Sequence, residues 1–161
     1  MFLLLLEGIV MCFVLLIVCV VGIANGPVGL VVFYEPDVQK RVVELGYTTE
    51  KAIRRRTALV SLLLFVPLFL LPPLMVYGLN GATGFLDGFW QMTVILLIQG
   101  LFDRFFIDWY WVDHTKAWII PGTEDLRPYI PQKTKMVKWM STLVVNPLIA
   151  AIVAGVAMLI L

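Results

Sequence analysis

Gly88-Phe89-Trp90-Gln91-Met92-Thr93-Val94-Ile95-Leu96-Leu97-Ile98-Gln99-Gly100-Leu101-Phe102 carries no charge, and Asp103-Arg104 follows at once. At 1.5 Å per residue this stretch falls short of the ~30 Å hydrocarbon layer, so a helix that crosses it must continue to about Ile107. Both charges then travel into the membrane. Ionisable residues there are costly, which makes Asp103 and Arg104 the first functional candidates.

The rest of the chain agrees with a membrane reading. Of its 161 residues 61% are hydrophobic and 14% charged, far from the balance of a soluble domain. The net charge of +1 gives no global field for nucleic acid. Apolar runs predict spans at about 3–33, broken near 25–29, and at 58–77, 88–107 and 140–161. The expected fold is all-α: a single polytopic transmembrane domain of four helices.

All 12 Lys and Arg lie in two connections: Lys40, Arg41, Lys51, Arg54, Arg55 and Arg56 in one, Arg104, Lys116, Arg127, Lys133, Lys135 and Lys138 in or beside the other. By the positive-inside rule both basic connections are cytoplasmic, and the Asn80-Gly81 turn and both termini lie outside.

As one helix the first segment would measure ~47 Å, too long for a single crossing. Asn25-Gly26-Pro27-Val28-Gly29 interrupts it and frees backbone carbonyls near Asn25, a candidate ligand contact. Its apolar run also exceeds a signal-peptide core and lacks a basic leader, so it reads as a span. In the second span Pro67 and Pro72-Pro73 predict a bend and an irregular last turn before Gly78.

In the first connection Pro36 suits a helix start, Asp37 its first turn and Gly46 its stop, giving a short amphipathic helix. Thr48 or Thr49 then caps a helix that leads Arg54, Arg55 and Arg56 into the second span, where the triplet faces lipid head groups.

The second connection concentrates acids, aromatics and the only histidine. Trp109 and Trp111 fit an interfacial belt at head-group level. On an α-helix Arg104 and Asp108 pair at i, i+4, while Asp103 points ~100° from Arg104 and gains no mate. Gln99, Asp103, Tyr110 and His114 then share one stripe and line a groove against a neighbouring span. The predicted ligand contacts are therefore Gln99, Asp103, Arg104, Asp108, Tyr110, His114 and Asn25.

A divalent metal is a further expectation, with Asp103, Asp108 and His114 as its ligands. A continuous α-helix sets aspartates five apart ~140° from one another, so this needs a bend near Asp113. Glu124 and Asp125 have a structural reason, as first-turn acids of a helix after Pro121-Gly122. Cys12 and Cys19 are ~10 Å apart along one helix, too far for a disulfide.

Gly22-x-x-x-Gly26, Ala150-x-x-x-Ala154 and Ala151-x-x-x-Gly155 offer close helix contacts, either within the bundle or in a homo-oligomer. Besides other copies, the expected partners are membrane lipids. Three functions remain open. The first is a groove for an ion, polar solute or lipid head group, in transport or lipid handling. The second is an interfacial enzyme acting on a lipophilic substrate, and the third an assembly subunit without chemistry.

Overall fold

The computed structural model describes residues 1–160. The chain is all-helical: α1 (Phe2–Ile23), the short α2 (Pro36–Glu44), α3 (Glu50–Leu79), α4 (Gly84–Val112) and α5 (Gln132–Leu159). All but α2 are long and apolar enough to cross a bilayer. Their outer faces leave Phe13, Ile17, Leu62, Phe65, Leu148 and Ile152 exposed, as a lipid-facing surface requires. The protein is therefore a multipass membrane protein.

The first predicted span divides where its Gly and Pro fall. α1 stops at Ile23, Gly26 takes φ +101°, and Pro27–Phe33 continue as a 3₁₀-helix. This segment folds back on the end of α1. Leu30 fills the space beside Gly22, and a Cβ on Gly29 would overlap the Gly22 carbonyl oxygen. Backbone bonds from Gly26 to Ile23 and from Gly29 to Gly26 close most of the break. Arg56 donates to the Val28 carbonyl at 2.9 Å, so this member of the basic triplet is a structural strut as well as a surface charge.

α2 begins at Pro36 and is followed by Gly46 at φ +76°, the left-handed conformation glycine tolerates. Thr49 caps α3, its hydroxyl accepting from the Ala52 amide at 3.2 Å. The helix continues without a break through Arg54–Arg56, and its three prolines precede a π-helical last turn, Leu74–Leu79. Pro67 lies within the α-helical part, and Pro72-Pro73 stand immediately before the π-helical turn.

α4 is the central helix. Ala150 and Ala154 of α5 are fully buried in a core with Met92, Ile95 and Leu96 of α4 and Met11 of α1. A Cβ on Gly8 would lie 2.7 Å from Ile98, and one on Gly100 would lie 2.6 Å from Thr142. Small residues therefore let α1 and α5 close on α4 from two sides. The Ala150-x-x-x-Ala154 face is consumed inside the bundle, whereas a Cβ at Gly155 would meet nothing.

At the charged end of the bundle the two long connections dock on each other, which the aromatic-belt reading did not anticipate. Tyr34, Val38 and Val42 form one buried cluster with Trp118, Ile120, Tyr129 and Ile130. The Tyr34 hydroxyl donates to the Trp118 carbonyl at 2.6 Å, and the Tyr129 hydroxyl accepts from the Ile120 amide at 3.3 Å. Burial, with Tyr129 adding to it, raises the Tyr34 phenol above its ordinary value and keeps it a donor. Glu124–Leu126 is a single 3₁₀ turn, not the start of a longer helix.

Candidate functional site

From Asp103 to Val112, α4 is wound as a π-helix. Its hydrogen bonds join residues five apart, so Asp103 and Asp108, five apart within it, lie closer to one face than the ~140° of an α-helix allows. The same winding alters every angle expected from an α-helix.

Two expectations are corrected by that register. Asp103 does have a same-helix mate, because the long Arg104 side chain turns back and its Nη2 pairs with Asp103 Oδ2. The predicted stripe also comes apart beyond Asp103, since a seven-residue step no longer returns to one face. Tyr110 is exposed and packs on Phe106, and His114 sits with Nδ1 2.5 Å from the Trp109 carbonyl oxygen. Neither borders the clefts that Asp103 and Arg104 line. Asn25 is exposed at the end of α1 and stands apart from them too.

What the winding assembles is a ladder of charges between α4 and α5. Arg104 Nη1 lies 2.6 Å from Asp108 Oδ2, Lys138 Nζ donates to Asp108 Oδ1 at 2.7 Å, and Lys135 Nζ donates to Asp113 Oδ2 at 2.5 Å. Three acids thus balance three bases. Lys135 and Lys138, three apart on α5, escaped the sequence reading. Their spacing matches the aspartate ladder only once the π register is known.

The metal expectation fares differently. Asp103 and Asp108 face Arg104 and Lys138, His114 is turned to a backbone carbonyl, and no three His, Cys, Asp or Glu side chains gather as a ligand set among the described residues.

Arg104 is the most constrained member of the ladder. Its side chain is only 7% exposed, Nε has no partner, and Nη1 meets Asp108 by distance without the angle of a hydrogen bond. It borders a cleft of about 220 Å³ whose polar corner is Asp103, Arg104, Asp108 and Lys138. Leu15 and Cys19 of α1, Leu64 of α3 and the docked Tyr34, Trp118 and Ile130 form the remaining, mostly apolar wall. The buried Trp118 indole Nε1 also lacks a partner.

On the α3 and α5 side Arg104 borders a second slot with Gln99, Gly100, Ser141 and Asn146, and outside it a third hollow with Trp109, Lys135 and Trp139. Gln99 is thus near Asp103 and Arg104 as expected. Trp109 flanks the site, whereas Trp111 packs inward on Trp118 with ring centroids 5.4 Å apart. Arg54 pairs with Glu50 at 3.4 Å on the surface, and Arg55 is exposed.

No family model matches this chain, and no curated protein or solved structure is significantly similar to it.

Proposed function

We propose that this protein binds an amphiphile at the cytoplasmic boundary of the membrane, in lipid handling or transport, with the polar end of the ligand held at Arg104. The reading rests on one observation: the buried polar atoms around the cleft that have no partner, Arg104 Nε and Trp118 Nε1, are both donors, and Arg104 Nη1 meets Asp108 only as an ion pair. Such a site selects a ligand that brings acceptors, such as the phosphate or ester oxygens of a lipid or a carbonyl group. The apolar wall of the same cleft favours a ligand with a hydrocarbon body over a bare ion or a polar solute.

The cytoplasmic placement follows from the positive-inside rule, since both basic connections lie at this end; both termini then face outward. Arg54, Arg55 and Trp109 supply the surrounding head-group contacts. Homo-association, where it occurs, uses the open Ala151 and Gly155 face of α5.

Mass spectrometry of the intact protein released from mild detergent tests the proposal. The wild type retains a lipid-sized molecule, and Trp118→Phe, which deletes one donor at little change in volume, retains several-fold less. Arg104→Gln abolishes retention. Equal retention by folded wild type and both variants would remove the cleft as a binding site.

A further inference from the structure

A second buried polar cluster lies at the opposite end of the bundle, beside the turn between α3 and α4. Glu7 of α1 is only 5% exposed, and no Lys, Arg or His pairs with it among the described residues. Its Oε2 accepts from Asn80 Nδ2 at 3.0 Å. The other Asn80 Nδ2 hydrogen goes to Gln91 Oε1 at 2.8 Å, and Gln91 in turn donates to the exposed Asp87 at 2.8 Å. Both amide hydrogens are engaged, so the orientation of Asn80 is set by its neighbours.

That orientation leaves two acceptors without a donor, Glu7 Oε1 and Asn80 Oδ1. A carboxylic acid and a primary amide pair through two hydrogen bonds in a ring, N–H to one carboxyl oxygen and O–H to the amide oxygen. Half of that ring is already in place. One proton on Oε1 completes it and satisfies both orphaned atoms together.

We propose that Glu7 and Asn80 form a proton-binding site, in which Glu7 carries the proton on Oε1 and donates it to Asn80 Oδ1. Charged and titratable neighbours come from each adjoining element. α3 brings Tyr77, whose hydroxyl would overlap a Cβ on Gly88 of α4, and α4 brings Asp87. In α1, Met1 lines the shallow cleft beside Asp87 and Gln91. α5 has no titratable side chain between Asn146 and Leu159. The one cation among these neighbours is the Met1 amino group, which makes no ion pair with Glu7 among the described residues.

The site also has a mechanical consequence. It joins α1 to the end of α3, and removal of the proton leaves Glu7 Oε1 and Asn80 Oδ1 both without a donor. Proton release therefore loosens the α1 to α3 contact, and uptake closes it.

Infrared spectroscopy of the whole protein in lipid nanodiscs, taken across a pH series, is the test. The expected spectrum has a carboxylic-acid carbonyl band at neutral pH that Glu7→Gln removes. Glu7→Gln, the neutral isostere, melts close to wild type at neutral pH. An acid band that is absent, or unchanged by Glu7→Gln, overturns the proposal. Asn80→Ala provides an independent reading: the acid band moves to the higher frequency of a free carboxyl, and no movement also overturns it.

Discussion

The two ends of this bundle bury polar groups in opposite ways. At the charged end, Asp103, Asp108 and Asp113 meet Arg104, Lys138 and Lys135 in a ladder that sums to zero, and the atoms left over are donors. At the turn end a single carboxyl, Glu7, is held by neutral amides, and both Glu7 and Asn80 are left with a spare acceptor. The contrast teaches that a membrane bundle tolerates many buried charges when they are mutually compensated. One uncompensated carboxyl needs a different remedy, and for Glu7 the proposed one is a proton shared with Asn80.

Breaking the ladder is the harshest test of this contrast. Asp108→Ala strands Lys138 and deprives Arg104 of a counter-charge, and removing one partner of a buried pair costs ~3–5 kcal/mol. Unfolding in mixed micelles is expected to register a loss of that size. A loss below ~1 kcal/mol would mean that water screens the ladder as it screens surface pairs. At the turn end the matching substitution, Glu7→Gln, is expected to be nearly neutral, and the difference between the two measures how differently the ends are built.

Close approach of the helices gives the next largest effect. Gly100→Ala places a methyl group 2.6 Å from Thr142 Cγ2 and 2.9 Å from Asn146 Nδ2, where α5 crosses α4 just above the ladder. Overpacking of this kind costs ~1–3 kcal/mol and should appear as a lower melting temperature. Gly155→Ala, facing open space, should leave the melting temperature unchanged unless that face meets another copy.

Tyr34, in the connection between α1 and α2, ties the charged end together, and its effect is smaller and tunable by pH. Its raised phenol stays protonated in the fold while an unfolded tyrosine ionises near pH ~10. The sign follows: stability from this group is complete below pH ~10 and declines above it. Tyr34→Phe should lose ~1 kcal/mol at neutral pH through the Trp118 bond, and its alkaline melting curve should fall less steeply than that of wild type. Smallest of all, Lys40→Met at the exposed pair with Glu44 should change nothing measurable.

Much of the architecture was legible because it depends on local composition. Apolar length marked the four crossings, and Gly26-Pro27 marked the end of the first helix. Pro36, Gly46 and Thr49 marked the caps of α2 and α3. The candidate site was half legible: the cost of burying charge drew attention to Asp103, Arg104 and Asp108, which the structure brings together in one charge cluster. Tyr110 and His114 were drawn in by α-helical angles that the π winding abolishes. Lys135 and Lys138 were passed over because nothing in their own neighbourhood distinguishes them from ordinary basic flanks of a span.

Chain composition and the order of breakers therefore established a helical membrane protein of four crossings with charge gathered at one end, because the bilayer imposes length and polarity one segment at a time. Two features depended on contacts between distant segments: the docking of Tyr34 on Trp118 and the meeting of Glu7 with Asn80. Hydrogen-bond geometry and packing act across the whole bundle, and no single stretch of residues contains both partners.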